Sequence, residues 1–369
     1  MMTSPKNNRF FQSRGFTLIE VMIAVTLSLI LLAGVVQMFI GTKQTYNTAE
    51  SLGRMQENAR YVMDAMGVEI RQAGFLPCLI SPNNTANVLN GNNTEYDFFG
   101  SPISAFEGDG VDVFDAAFPA VGTAPGDRVA GSDGIRILRG GADNFSIESH
   151  NPPSAQFKLK TNHTLTPGTV VLVCDATHAA ILQITNSNLA NQTIVHNTGT
   201  EVPGNCTKGL GTPVPNPCTA NGSPYAFPPG SQLVTFQSTI FYLGISSSGT
   251  TNSIYSQVLG GPVLELVEDV ETFQLMYGEA PSSMQAAERY VSADQVTDFN
   301  NVVSVRLGML MRTPAEIAAV ADTSTYNIIG TDVADTGTAV TYTSDRRQRY
   351  PFSTTIKIRN RGEGIGPTL

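Results

Sequence analysis

The sequence predicts an α+β fold in which a long N-terminal helix packs on a mostly antiparallel β domain. Residues 16–40 form an apolar run with one carboxylate, and residues 41–74 keep a helical pattern but become amphipathic. From residue 75 to residue 369, short strand-like runs alternate with stretches rich in Gly, Asn, Ser, Thr and Pro. We therefore expect a transmembrane half-helix, an amphipathic half-helix and a β-rich globular domain, in that order.

The apolar run is long enough to cross a membrane. At about 1.5 Å per residue, residues 16–40 span about 37 Å, and a hydrocarbon core is about 30 Å thick. Lys6, Arg9 and Arg14 precede the run without acidic residues among them, whereas Lys43 is soon followed by glutamates. This bias predicts a single span with a cytoplasmic N-terminus and a periplasmic globular domain.

Glu20 is the only ionisable side chain between residues 16 and 40. A charge within a membrane helix costs a few kcal/mol or more, so Glu20 needs a partner in an assembled state. Two simpler interpretations compete. An ordinary secretory signal has a shorter apolar core of about 7–15 residues, and an ordinary membrane anchor has no use for Glu20.

The amphipathic half-helix has one apolar face and stops at Gly74, a C-cap residue that Pro77 follows closely. The predicted helix therefore covers residues 16 to about 73. Its apolar face repeats at helical spacing and consists of Tyr46, Ala49, Leu52, Ala59, Met63, Met66, Ile70 and Ala73.

Alternation of apolar and polar residues predicts half-buried antiparallel strands in the globular part. The predicted strands are residues 135–139, 157–160, 169–173, 180–184, 233–243, 302–311 and 354–359. Residues 81–95, 197–231 and 321–345 are expected to form loops, because turn-forming residues dominate them.

All four cysteines follow the membrane segment, which permits oxidation outside the cytoplasm. Three pairings are compatible with four cysteines. We favour Cys206–Cys218, which closes a loop rich in Gly and Pro, and this leaves Cys78–Cys174. A zinc site is the alternative, but the sequence has no C-x-x-C and no histidine at ligand spacing near any cysteine.

Catalytic motifs are missing from the sequence, so we expect neither an enzyme nor a cofactor. His150, His163, His178 and His196 are scattered and fit surface or hydrogen-bonded histidines better than ligands. An acidic loop could hold Ca²⁺ through oxygen ligands, although its spacing is not that of an EF-hand and solvated turn residues are the competing interpretation. Its carboxylates are Glu107, Asp109, Asp112 and Asp115. The basic residues Arg346, Arg347 and Arg349 fit an edge strand protected from aggregation.

Residues 15–20, Gly-Phe-Thr-Leu-Ile-Glu, together with the basic leader and the apolar run, resemble the class III signal of type IV pilins and pseudopilins. The resemblance implies cleavage of a leader, residues 1–15, between Gly15 and Phe16, N-methylation of Phe16, and an assembly role for Glu20. Losing three positive charges takes the formal net charge from −9 to −12. So acidic a chain would repel phosphates, which argues against direct nucleic-acid binding.

The downstream sequence resembles the PilW family of minor pilins in the order of its segments. These segments are residues 266–271 with 277–278, 302–307 ending at Arg312, 346–349 and 352–360. The resemblance implies a minor pilin that helps to initiate type IV pilus assembly and is incorporated near the pilus tip. The alternatives are a J-type pseudopilin of type II secretion and a membrane-anchored periplasmic enzyme or binding protein.

The same resemblance implies the partners and the location of the chain. The expected partners are other minor pilins and the major pilin through the N-terminal helix, the prepilin peptidase, the inner-membrane assembly platform and a PilY-type tip adhesin. The expected location is the inner membrane, followed by the pilus fibre at the cell surface.

Overall fold

The fold was analysed in a computed structural model, which describes residues 15–78, 84–91, 94–108, 119–199, 201–280, 286–329 and 344–359. The chain divides into two compact units, Met1–Arg54 and Met55–Leu369. One α-helix, α1 (Leu18–Arg71), begins in the first unit and ends in the second.

Helix α1 is slightly shorter than the predicted helix because both ends are capped. At its start, the side chain of Thr17 accepts a hydrogen bond from the backbone N–H of Glu20 at 3.3 Å. At its end, the N–H groups of Gln72 and Ala73 bond three residues back, which is a 3₁₀ turn. Gly74 then takes a left-handed conformation, φ +69°, and donates its N–H to the carbonyl of Leu138 at 2.8 Å.

In the first unit, the apolar residues of α1 are exposed on every side. Helix α1 is the one helix in the described part of the chain that is long and apolar enough to span a membrane. In the second unit, one face of α1 is buried and contains Met55, Ala59, Val62, Met66 and Ile70. Of the predicted apolar face, Tyr46 and Ala49 are exposed, so that part of the prediction was wrong.

The second unit contains the strands β1 (Thr85–Asn87), β2 (Ile103–Phe106), β3 (Gly134–Asn151), β4 (Gln156–Leu159), β5 (Val170–Cys174), β6 (Ala179–Gln183), β7 (Asn186–Asn188), β8 (Thr193–Val195), β9 (Gln232–Ile245), β10 (Asn252–Val258), β11 (Val263–Glu268), β12 (Val270–Glu279), β13 (Arg289–Val291), β14 (Val302–Arg312) and β15 (Arg349–Lys357). These strands form two sheets. The larger has eleven strands, with β1-β6-β5-β9-β3-β4-β8-β7 as its main path, β2 beside β3, and the hairpin β10–β11 beside β9. The smaller has the order β13-β12-β14-β15. Every strand pair is antiparallel except β1 with β6. The predicted mostly antiparallel β domain is therefore confirmed.

All seven strands predicted from the sequence are present. The predicted loop 81–95 contains the short strand β1, whereas residues 201–231 contain no strand.

Asp269 links the two sheets. It lies between β11, in the larger sheet, and β12, in the smaller sheet, and has a positive φ of 63°. Asp tolerates this conformation better than most residues. Its carbonyl accepts a hydrogen bond from the N–H of Arg312 at 3.0 Å, so the end of β14 holds the chain where it changes sheets.

The buried face of α1 packs against both sheets. The main core cluster joins this face to Ile135 and Ile137 of β3, Phe273 of β12 and Leu307 of β14, among other side chains. A second core lies among β3–β6 and β8 and includes Phe157 and Phe227. The helix end is therefore the element around which the two sheets are arranged.

Glu69 fixes the position of α1 on the larger sheet. Its carboxylate accepts two hydrogen bonds from the guanidinium of Arg139 on β3, at 2.7 and 2.8 Å. Both side chains are largely buried, with exposures of 12% for Arg139 and 15% for Glu69. Glu69 is not part of the apolar face of the helix, and at this position the helix meets a cation rather than water.

We predict that Glu69→Ala lowers the free energy of unfolding by about 3 kcal/mol, because it leaves the Arg139 charge buried without its partner. Urea unfolding of the detergent-solubilised protein, followed by circular dichroism, measures the change. Glu57→Ala on the exposed face of the same helix is the control, with an expected change within about 0.5 kcal/mol. Equal stability of the two variants would contradict the assigned role of the ion pair.

Candidate functional site

Thr17 and Glu20 form a reciprocal capping box at the start of α1. The N–H of Thr17 donates to Oε2 of Glu20 at 3.0 Å, and the N–H of Glu20 donates to Oγ1 of Thr17 at 3.3 Å. The Thr17 hydroxyl also donates to Oε2 at 2.9 Å. This is the T-x-x-E pattern that satisfies free N–H groups at a helix start. The pattern is visible in the sequence, but the charge of Glu20 in an apolar run predicts only the assembly role.

The proposed cleavage position lies directly before this capping box. Gly15 and Phe16 precede the helix outside regular secondary structure, and Phe16 is 85% exposed. Glu20 and Phe16 border a shallow groove along the helix, where Ala24 and Ser28 leave room between larger apolar side chains. The leader residues 1–14 lie outside the described residues.

The structure pairs Cys78 with Cys174 and Cys206 with Cys218, the pairing that the sequence analysis favoured. Cys78 follows α1 and Cys174 ends β5, so the first bridge ties the segment after the helix to the larger sheet. The second bridge closes a loop within residues 201–231. Both bridges lie in the second unit.

The acidic loop gives no calcium site among the described residues. Asp109, Asp112 and Asp115 lie outside them, and Glu107 accepts a hydrogen bond from the N–H of Ala293 at 2.9 Å. In the ranges that the structure describes, no group of three or more His, Cys, Asp or Glu side chains is arranged to hold a metal.

Arg349 is buried in an ion-pair network, so its interpretation as an exposed edge-strand charge was wrong. Its guanidinium binds Glu271 at 2.6 and 2.8 Å and Asp345 at 2.8 Å, and it lies 3.6 Å from Asp322. Arg347 pairs with the same Asp345. The sequence could not reveal these partners because Glu271 is 78 residues away along the chain.

Three of the four histidines are hydrogen-bonded. Nε2 of His150 lies 3.2 Å from Nε2 of His196, and Nε2 of His178 lies 2.8 Å from the carbonyl oxygen of Leu210. His163 is buried, and neither of its ring nitrogens has a hydrogen-bonding partner among the described residues. The histidines thus fit the hydrogen-bonded alternative of the sequence analysis better than the surface alternative.

Two parts of the chain match known families. Residues 241–360 match the family described as Type IV pilus-assembly protein W, and residues 11–36 match the prokaryotic N-terminal methylation motif. No curated protein sequence matches the chain. A solved type IV-like pilin from Thermus thermophilus is similar at 11% identity and a TM-score of 0.31, covering 83% of this chain and 96% of that one. At that score, the fold assignment rests on the helix and strands described above.

The methylation motif and the exposed apolar helix fit a type IV pilin-like protein with a membrane anchor. Within that class, residues 241–360, which contain β10–β15, are similar to the PilW family of type IV pilus-assembly proteins. The resemblance seen in the sequence is confirmed over these residues. A pilin-like helix joined to a PilW region favours a structural protein over an enzyme.

We predict that the two disulfides contribute unequally to stability. In the chain-entropy description, a bridge stabilises more when it closes a longer loop. Cys78–Cys174 spans 96 residues and Cys206–Cys218 spans 12, so replacing each pair by alanine should cost about 4.5 and about 3 kcal/mol, respectively. Urea unfolding of the two double variants gives the comparison, and the reverse order of stability would refute the prediction.

Proposed function

We propose that this chain is a minor pilin that primes type IV pilus assembly and is incorporated near the pilus tip. The observation that carries the proposal is an apolar helical segment, exposed on all sides, whose only charge is Glu20. Such a segment needs apolar surroundings, which a membrane supplies before assembly and the helices of neighbouring subunits supply afterwards. The PilW region supports a role among minor pilins.

Processing comes first in the proposed sequence of events. The leader, residues 1–15, is cut between Gly15 and Phe16 by the prepilin peptidase, and Phe16 is N-methylated. Residues 16–40 then hold the chain in the inner membrane, residues 41–74 continue the helix, and residues 75–369 form the globular domain in the periplasm. The two disulfides fit an oxidising compartment of this kind.

Glu20 has two possible roles that differ in what they require of its side chain. In the capping box, Glu20 must accept a hydrogen bond from Thr17, which a glutamine can also do. In a fibre, we propose that Glu20 offsets the new N-terminal amine at Phe16 of a neighbouring subunit. Because opposite charges attract strongly in apolar surroundings, this second role requires a negative charge.

The size of the second unit favours a few copies at the tip. Residues 55–369 form one compact unit, which is large for a subunit repeated along a slender fibre. A few minor pilins associated beforehand would avoid the entropy cost of nucleating a fibre one subunit at a time. We place this chain beside other minor pilins and a PilY-type adhesin, above the major pilin, after delivery from the inner-membrane assembly platform.

Three variants separate the two roles of Glu20. We predict that Glu20→Gln, which keeps the capping hydrogen bond and removes the charge, reduces incorporation into sheared fibres as strongly as Glu20→Ala, by about tenfold or more. Thr17→Val removes the hydroxyl that caps the N–H of Glu20 and keeps the charge, so its incorporation should stay near that of the wild type. Intact mass of each variant confirms an unchanged N-methylated Phe16, which separates assembly from processing.

Normal incorporation of Glu20→Gln together with a defect in Thr17→Val would instead assign Glu20 to helix capping alone. Normal incorporation of all three variants would favour a simple membrane anchor.

Deletion of the gene tests the priming role. We expect fewer surface pili, with partial recovery when the retraction motor is also removed, because slow initiation then has time to produce fibres. Counting pili by electron microscopy in the single and double deletions measures this. Unchanged pili with a block in export of folded periplasmic enzymes would identify a J-type pseudopilin, and no effect on either would favour an anchored enzyme or binding protein.

A further inference from the structure

A cluster of histidines and aromatic rings lies where residues 201–231 cross the larger sheet. His150 ends β3 and stacks on Phe157 of β4 with ring centroids 4.0 Å apart. His196 follows β8, and its ring centroid lies 4.9 Å from that of Phe157. Phe227, from residues 201–231, lies 5.9 Å from His150, measured in the same way. The cluster therefore joins three strands of the sheet to the long loop.

The hydrogen bonds determine where the protons lie on the two histidines. The backbone N–H of Phe227 donates to Nδ1 of His150 at 3.1 Å, so that nitrogen carries no proton. Neutral His150 must then carry its proton on Nε2, which lies 3.2 Å from Nε2 of His196. Nε2 of His196 accepts the hydrogen bond from this N–H, so the proton of neutral His196 is on Nδ1. The two nitrogens that could take up a proton, Nδ1 of His150 and Nε2 of His196, thus both accept hydrogen bonds.

Protonation of either histidine therefore disrupts a hydrogen bond of the pair. Adding a proton to Nδ1 of His150 would place it against the N–H of Phe227. Adding a proton to Nε2 of His196 would place it against the Nε2–H of His150. In either case a hydrogen bond becomes a contact between two donors inside a largely apolar cluster, where a charge is costly.

The remaining anchors of the loop explain which part of it would be released. Near its start, Asn205 exchanges two hydrogen bonds of 2.7 Å with the backbone of Gln183, and amides do not titrate. Further along, Leu210 accepts from Nε2 of His178, and Tyr225 stacks on the His178 ring with centroids 4.1 Å apart. Phe227 is fixed by His150, whereas Tyr225 also donates to Asp175, and Gly230 donates to the carbonyl of Ile147. The beginning of the loop is thus attached independently of pH, whereas the attachment of Phe227 depends on histidine.

We propose that the His150–His196 pair is an acid-sensitive latch, which holds the end of the loop 201–231 on the larger sheet at neutral pH and releases it in acid. Release would expose Phe227, which is buried in the second core. A new apolar surface would then appear on the globular unit. The Cys206–Cys218 bridge joins Cys218 to the anchored beginning of the loop, so release would be confined to the residues after Cys218.

Few other charges surround the latch. On the strands, Glu148 of β3 pairs with Lys158 of β4 at 3.0 Å, and both are exposed. Lys208, from the loop, donates to the carbonyl of Pro153. On the side of His178, Asp175 accepts a hydrogen bond from the hydroxyl of Tyr225 at 2.7 Å. These carboxylates already have partners, so none of them is placed to stabilise a charged His150 or His196.

The pKa shifts agree with this arrangement. Burial lowers the pKa of His150 to about 4, and burial followed by the neighbouring His150 lowers the pKa of His196 to about 3. Both values lie below the ordinary histidine value of about 6.5. The stability that the neutral pair contributes is therefore complete above about pH 6.5 and is lost as the pH falls toward 4 and then 3.

Hydrogen exchange with mass spectrometry on the full mature protein in detergent tests the latch. Between pH 7 and pH 4, we expect the protection factors of peptides covering Tyr225 and Phe227 to fall by about tenfold or more. Peptides from β14 should keep theirs. Equal protection of the Phe227 peptides at both pH values, or an equal loss in β14, would overturn the proposal.

His196→Gln is the informative variant, because glutamine can accept the hydrogen bond from His150 but cannot be protonated. In this variant the loss of protection should be smaller and should begin at lower pH. His163→Gln, at a buried histidine outside the cluster, is the matched control and should respond to acid as the wild type does. An identical acid response in His196→Gln and the wild type would contradict the latch.

If His196→Gln fails to fold, ring ¹⁵N shifts of the wild-type protein provide an independent test. His150 and His196 should remain neutral at pH 5.5, whereas titration of both near pH 6.5 would overturn the proposal.

Discussion

The apolar segment 16–40 imposes the main constraint on this protein, because it cannot stay in water and no part of its own unit covers it. Its backbone groups are satisfied within the helix, so a membrane can receive it. A membrane alone does not stabilise Glu20, since a lone carboxylate in hydrocarbon lacks a compensating positive charge. Intrachain capping by Thr17 satisfies hydrogen bonds but supplies no positive charge. The segment thus fits a membrane, and the carboxylate of Glu20 requires a positively charged partner there.

The same helix is used differently in the second unit. From Met55 onward, only one face is apolar, and it is buried against strands of both sheets. The ion pair between Glu69 and Arg139 sets the rotation of the helix, and Gly74 ends it with a bond to β3. Asp269 and the Arg349 network hold the smaller sheet, which lies wholly in the PilW region.

Local patterns in the sequence predicted the features that depend on local chemistry. Apolar periodicity and Gly74 predicted the helix, and alternation predicted strands such as β9 and β14. The capping box is also a local pattern. It was not predicted, because Glu20 was interpreted only as a buried charge that needs a partner. Contacts between distant residues could not be predicted. Glu69 meets Arg139 across 70 residues and His150 meets His196 across 46. The packing of α1 on β3 brings the first pair together, and the pairing of β3, β4 and β8 brings the second pair together.

We propose that the apolar helix enters a fibre and contacts other pilin helices there. Crosslinking of sheared pili, followed by mass spectrometry, is the decisive measurement. We expect this chain in the sheared fraction at low copy number, with crosslinks from residues near Glu20 to the N-termini of neighbouring pilin subunits. Recovery of the chain only from the inner-membrane fraction, with no such crosslinks in fibres, would contradict it.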